Sequence, residues 1–226
     1  MTAIKLNILK PSVNNLTVRI FVRAAELDFE EVDVWGHTRE PDFLQKDPAH
    51  LTPMIEEEGL PQGSIWESCA IMQYLCNKHG LERFYPADPA RRAPVDSAMF
   101  YVIGTLYPLI TRATYPALSF PQYPGEVGSS DADESAKAAA QQAATDAIAE
   151  PLDAFRFYMG GKPFIGGDGP SIADMRLAAS LEFLDAIDYD FPGWAKEYMA
   201  AVESSLGDAY SEPAADVRGY IASVKS

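Results

Sequence analysis

Apolar and polar positions follow two rhythms along this chain, one before about residue 85 and another after it. Ile4 to Leu9 reads as a strand, and Asn15 to Leu27 as a helix with Val18, Ile20, Phe21 and Ala24 among its apolar positions. Phe29 to Val34 reads as a second strand. A strand, helix and strand in succession imply a right-handed parallel crossover. After a polar stretch come a Thr52-Pro53 bend, a hairpin-like pair from Met54 to Ile65 turning at Gly59 to Gly63, and a helix from Ser68 to about His79. The layout is βαβ-ββα. LERFYPADPARRA, from Leu81 to Ala93, has prolines and few core residues and reads as a linker.

From Pro94 onward the pattern is almost wholly helical. Val95 to about Leu118 is expected as one long helix with a kink near Pro108. The breaker-rich run from Pro121 to Ser135 reads as a loop, and a helix from about Glu134 to Met159 should stop at Gly160-Gly161. Ser171-Ile172-Ala173-Asp174 has the form of a capping box, with Asp in the acidic position. A further helix lies around Pro192 to Ala201. The expectation is an α+β chain: residues 1–85 as a mixed α/β domain and 86–226 as an all-α helical bundle. Apart from Ala136 to Ala149 there is no low-complexity tract, and there are no internal repeats.

Charge narrows the range of partners. With 18 basic against 33 acidic residues, the net charge is −15, which repels phosphates and anionic lipid and argues against nucleic-acid or polybasic membrane roles. The start, MTAIKLNILKPS, lacks the features of a signal peptide, and no window is expected to reach membrane-spanning length. A cytoplasmic protein is the expectation. Cys69 and Cys76 stand seven apart on one helix, roughly 10–11 Å at a rise of 1.5 Å per residue, so they are expected to be reduced and unbridged. An anionic ligand needs locally placed donors, and His50, His37 and the start of the Ser68 helix are candidates.

The run HLTPMIEEEGLPQGSIWESCAIMQYL, from His50 to Leu75, looks like a binding device. A proline opening an edge strand leaves neighbouring backbone groups free for an extended peptide, and a helix N-terminus offers free N–H groups to a carboxylate. These two anchors suit a small acidic peptide. Pro53 with Glu67-Ser68 resembles the glutathione transferases, whose thioredoxin-like domain carries a cis-proline before its third strand and an acidic residue plus serine at the next helix start. FIGGD before Ser171, the YPADP linker, GTLY and TYP extend the resemblance over nearly the whole chain. WESCAIMQYL and SVNNLTVR are most similar to the delta and theta classes and their bacterial relatives.

The resemblance implies glutathione as co-substrate, no metal, a homodimer, and a serine-type site. A free thiol of pKa about 8.5 is only about 3% thiolate at pH 7, and a shift of two units, worth about 2.7 kcal/mol, makes the thiolate dominant. Ser12 stands where the family places the activating hydroxyl, although Pro-Ser-x-Asn-Asn is also turn and helix-cap chemistry. Asn14 is its rival. Thr52 and Pro53 would meet the cysteinyl backbone, Glu67 the γ-glutamyl ammonium and Ser68 its carboxylate. His50 would contact the glycine carboxylate, and His37 stands one position off a second such histidine. Cys69 occupies a place where delta-class proteins often have arginine.

On a 3.6-residue wheel Tyr101, Pro108, Arg112 and Tyr115 share one face of the long helix, and Ile103, Leu106 or Tyr107, and Ile110 another. Tyr107, Tyr115 and Arg112 are the candidates for the electrophile site. The implied reaction is attack of a glutathione thiolate on a small hydrophobic electrophile by conjugation, substitution or epoxide opening. Peroxidase, dehalogenase, ether-cleaving or isomerase chemistry would use the same site, and a non-catalytic glutathione-binding interaction domain is the rival from another class.

Overall fold

The computed structural model describes residues 3–120 and 133–226. The breaker-rich stretch expected as a loop lies outside the described residues from Pro121 to Ala132, and its last residues, Glu134 and Ser135, already belong to a helix.

The first part follows the expected rhythm closely. β1 (Ile4–Ile8) runs parallel to β2 (Phe29–Asp33) across α1 (Val13–Ala24), with Ile4 opposite Phe29. The polar stretch holds a short helix, α2 (Pro41–Leu44), that periodicity did not reveal. β3 (Met54–Glu56) and β4 (Ser64–Trp66) pair antiparallel, and α3 (Ser68–His79) follows. The strand order is β2-β1-β3-β4, so β3 is an inner strand rather than the expected edge. Met54 already pairs with both Asn7 and Trp66, and Thr52-Pro53 lies just outside the ladder.

Three helical expectations are corrected, each by a proline. The linker is shorter than expected: Pro89 opens α4 (Pro89–Tyr101), where its missing N–H costs nothing, and the Asp88 carboxylate accepts the Arg91 N–H at 2.8 Å. In place of a simple kink, a π-helical turn at Val102–Leu106 precedes Pro108, with the Tyr107 N–H reaching back to the Val102 carbonyl; α5 (Tyr107–Thr114) follows. The helix expected from Glu134 to Met159 is split into α6 (Glu134–Asp146), α7 (Ala149–Asp153) and α8 (Phe155–Met159). Pro151 has no N–H to offer the Ala147 carbonyl, so the ladder breaks there. Its end is as expected, with Gly160 in the left-handed region.

The helical stretch Pro89–Thr114 is 26 residues long with a mean hydropathy of 1.2 in its most apolar window, long and apolar enough by composition to cross a membrane. That corrects the expectation that no window reaches such a length. In this fold the segment instead packs against α9 (Ile172–Leu181) and borders the cleft described below.

Every residue of α9 is buried. A 3₁₀ turn (Glu182–Ile187), α10 (Gly193–Leu206) and α11 (Asp208–Lys225) complete the chain. One apolar core runs without interruption from Leu6 and Leu16 through Leu75 to Leu177 and Ile221. The sheet part and the helical part are therefore joined by shared packing, with α1 touching both α9 and α11.

Candidate active site

A cleft of about 440 Å³ opens where the ends of α1, β3 and α3 meet the helical part. Asn14, Leu51, Thr52, Pro53, Glu67 and Ser68 form one side, and Ile103, Tyr107, Pro108, Thr111, Arg112, Tyr115 and Arg176 the other.

The first side is built by the loop before β3. The buried Asp47 carboxylate accepts the N–H groups of Ala49 at 2.9 Å and Leu51 at 2.8 Å, while its carbonyl takes the His50 N–H at 3.0 Å. This folds the loop into the cis Thr52-Pro53 peptide. Asn15 then donates from Nδ2 to the Thr52 Oγ1 at 3.0 Å and ties the loop to the start of α1. Thr52 thus has a structural partner. Neither Asp47 nor Asn15 stood out in the sequence, because Asp and Asn in a loop or a helix first turn are ordinary.

Glu67 precedes α3 with φ of 75°, a left-handed conformation uncommon for a residue with a side chain. Its side chain makes no cap bond to the helix and is exposed, while Ser68 is buried at the first position of α3. The N-terminus of α3 therefore borders the cleft without a cap from the Glu67 side chain.

At the start of α1 the two thiol-site candidates separate. Asn14 lines the cleft, and its buried Oδ1 has no hydrogen-bond partner. Ser12 is the half-buried N-cap residue of α1, but its hydroxyl makes no cap bond and it is not part of the cleft lining. The histidines also stand off. His50 is half-buried, with φ of 49°, next to Leu51, and its side chain is not in the lining. His37 is exposed, with Nδ1 2.7 Å from the Glu40 Oε1.

On the opposite side Tyr107, Arg112 and Tyr115 all reach the cleft, with the two tyrosine hydroxyls 3.3 Å apart. The helical wheel misplaced the rest. Tyr101 packs on Phe155 and Tyr158, while Ile103 and Tyr107 join the wall. A wheel assumes 3.6 residues per turn throughout, and the π turn at Val102–Leu106 shifts everything beyond it.

Arg176 was missed altogether. It comes from α9, is 2% exposed, and stacks its guanidinium 4.6 Å from the centre of the Tyr107 ring. An arginine inside the apolar run IADMRLAASL was the available signal. It also bears on Cys69, whose thiol is pushed up by burial while the nearby guanidinium works the other way. Cys76 is buried and pushed up to about 12 by desolvation, and both cysteines are free thiols, as expected. Among the described residues no group of three or more His, Cys, Asp or Glu side chains could hold a metal ion. Chemically the cleft offers uncapped helix N–H groups, a backbone edge at Thr52, an amide, two phenols and two arginines.

The chain matches the family model of the glutathione S-transferase N-terminal domain over residues 2–77 and that of the C-terminal domain over residues 138–204. Among solved structures it is similar to the Bombyx mori glutathione transferase BmGSTD1, at 28% identity and a TM-score of 0.79 over 99% of this chain and 98% of that one. It is similar to an epsilon-class glutathione S-transferase from the housefly, Musca domestica, at 25% identity and a TM-score of 0.75, over 98% and 97% of the two chains. The fold is also shared with human glutathione-S-transferase T1-1, at 22% identity and a TM-score of 0.79, over 97% and 91%.

Proposed function

Because this chain belongs to the glutathione S-transferase family and has the sheet and helical domains of its members, we propose that glutathione lies extended along Thr52-Pro53, with its sulfur at the start of α1. The domain boundary falls at Tyr85-Pro86. The Thr52 backbone pairs with the cysteinyl unit, Glu67 receives the γ-glutamyl ammonium, and Ser68 with the α3 N-terminus receives its carboxylate. The glycine end points toward His50 at the edge of the cleft. His37, held by Glu40, is given no role.

The sulfur is met by Asn14 rather than mainly by Ser12, since Asn14 forms the wall there. An amide N–H donated to sulfur favours the thiolate without a buried countercharge. Tyr107, Tyr115 and Arg112 flank the electrophile. The thiolate then attacks an electrophilic carbon: the C–S bond forms and the leaving group, or the opened epoxide oxygen, departs with its electron pair. Holding both reactants in one cleft supplies much of the rate. The cytoplasm is the proposed compartment and a homodimer the proposed assembly.

The observation that carries this reading is convergence: Thr52, Pro53, Glu67 and Ser68 from one domain and Tyr107, Arg112 and Tyr115 from the other line a single cleft. The test is a panel of electrophiles incubated with protein and glutathione and read by mass spectrometry, beside a melting curve. A native-state ligand at a hundredfold excess over Kd stabilises by about 2.7 kcal/mol. A measurable rise in Tm with millimolar glutathione and at least one adduct are expected; no shift and no adduct would refute the reading.

A further inference from the structure

Arg176 is a buried cation with no counter-charge among the described residues. It is 2% exposed, on a helix buried along its whole length. The groups it touches are uncharged: Nη1 donates to the Ser180 Oγ at 2.8 Å, the guanidinium lies over the Tyr107 ring, and the Cys69 thiol is close by. The Nε–H has no partner, and no ion pair joins Arg176 to a carboxylate among the described residues. Elsewhere in the molecule buried arginine is compensated, as Arg19 is by Glu31 and Asp216. A guanidinium stays charged at any ordinary pH, so it cannot escape the penalty by losing its proton.

Its position shows what is lacking. Arg176 borders the cleft together with Ser68, the first residue of α3, and lies against Cys69, the second. A helix N-terminus and an uncompensated arginine thus meet from opposite domains. Both recognise the same chemistry, a carboxylate, which a guanidinium holds with two parallel N–H bonds.

We propose that Arg176 is a ligand-binding residue that completes a carboxylate site with Ser68 and the α3 N-terminus, and that the carboxylate it receives is that of the γ-glutamyl unit of glutathione. This rests on the reading of the cleft given above. It makes ligand affinity depend on a residue of the helical domain, more than a hundred positions from the rest of the carboxylate site. Tyr107, which supports the guanidinium from below, then links the glutathione end of the cleft to the electrophile wall.

The experiment compares glutathione with its analogue lacking only the γ-glutamyl α-carboxylate, 4-aminobutyryl-cysteinyl-glycine, by calorimetric titration against wild type, Arg176→Met and Arg176→Lys. Wild type should bind the analogue at least tenfold more weakly than glutathione. Arg176→Met should weaken glutathione binding about tenfold and leave analogue binding within about twofold, and Arg176→Lys should recover part of the loss. Should Arg176→Met not fold, judged by its melting curve, Arg176→Lys carries the same comparison with a smaller difference. Equal weakening of both ligands would show a structural role and overturn the assignment. So would unchanged glutathione affinity with turnover lost only on electrophiles that carry an anionic group, which would assign the cation to the second substrate. If wild type binds neither ligand, the reading of the cleft falls first and this one with it.

Discussion

At the scale of single residues, the site depends on side chains whose partners are distant in sequence. Asn14 and Ser12 are two positions apart, yet only Asn14 lines the cleft. Asn14→Ala should therefore raise the pKa of the bound thiol and lower turnover at least tenfold near neutral pH. Turnover should partly recover as pH rises toward the free-thiol value, because the lost donor favoured only the ionised sulfur. Ser12→Ala should change both less. Ultraviolet thiolate absorbance against pH, with pH–rate profiles of both variants, decides between them; the reverse order would return the role to the serine. Glu67 allows a second test. Its left-handed backbone stores about 1–3 kcal/mol, whereas glycine adds about 0.5–1 kcal/mol of unfolded-state entropy. Glu67→Gly should thus hold or raise Tm while weakening glutathione binding, a split that a merely structural glutamate would not show.

At the scale of elements, the start of α9 is the best-organised joint in the helical domain. The capping box that the sequence announced is present, and Asp174 exceeds it: its carboxylate accepts the N–H groups of Ser171, Ile165 and Gly166 and the hydroxyls of Ser171 and Tyr198. Gly166 has no room for a side chain, since a Cβ there would stand 2.5 Å from the Gly169 carbonyl oxygen. Ser171→Ala should cost about 0.5–2 kcal/mol, the range of a lost cap. Asp174→Ala should cost more, at least about 3 kcal/mol, because it leaves several buried donors unpaired at once. Urea titration measures both; equal losses would mean that the cap alone matters. Because α9 also holds Arg176, either variant should weaken glutathione binding in proportion to the disorder it introduces there.

At the scale of the whole molecule, Arg19 fastens the first domain to the last helix. It is 3% exposed and bonds Glu31 at 3.0 Å, Asp216 at 2.8 Å and the Pro213 carbonyl at 3.3 Å. Burial opposes ionisation of Glu31, but hydrogen bonds from Arg19 and Arg23 prevail and hold its carboxyl below the ordinary 4.5. A carboxyl held low in the fold contributes stability above its unfolded value and loses it as pH falls through the folded one. Wild-type Tm should therefore drop on acidification below about 4.5. Glu31→Gln should lower Tm at pH 7 and flatten that acid limb, as scanning calorimetry across pH 3 to 7 would show. Assembly belongs to this scale too. The exposed Phe100 and Phe157, at 65% and 86%, are apolar surface on the helical domain. Light scattering at micromolar concentration should give twice the chain mass, and a monomer would remove the homodimer from the proposal without touching the cleft.

The sequence by itself determined what depends on neighbours along the chain. The βαβ-ββα order, the Ser68–His79 helix, the Gly160 stop and the Ser171 capping box were legible because periodicity, turns and caps act over a few residues. So was the cleft wall formed by Thr52, Pro53, Glu67 and Ser68, whose spacing is set by one hairpin and one helix start. Only the tertiary structure decided the rest. The π turn ahead of Pro108 altered which face of the long helix meets the cleft, and no fixed-period wheel registers an extra residue in a turn. β3 became an inner strand because β1, nearly fifty residues earlier in the chain, pairs with it. The final helix, featureless as a motif, has its place through Arg19 and Asp216, and Arg176, an odd charge in an apolar run, gains a place in the cleft only when folding brings it beside Ser68. Pairing, burial and charge compensation are relations between distant residues, and the fold alone establishes them.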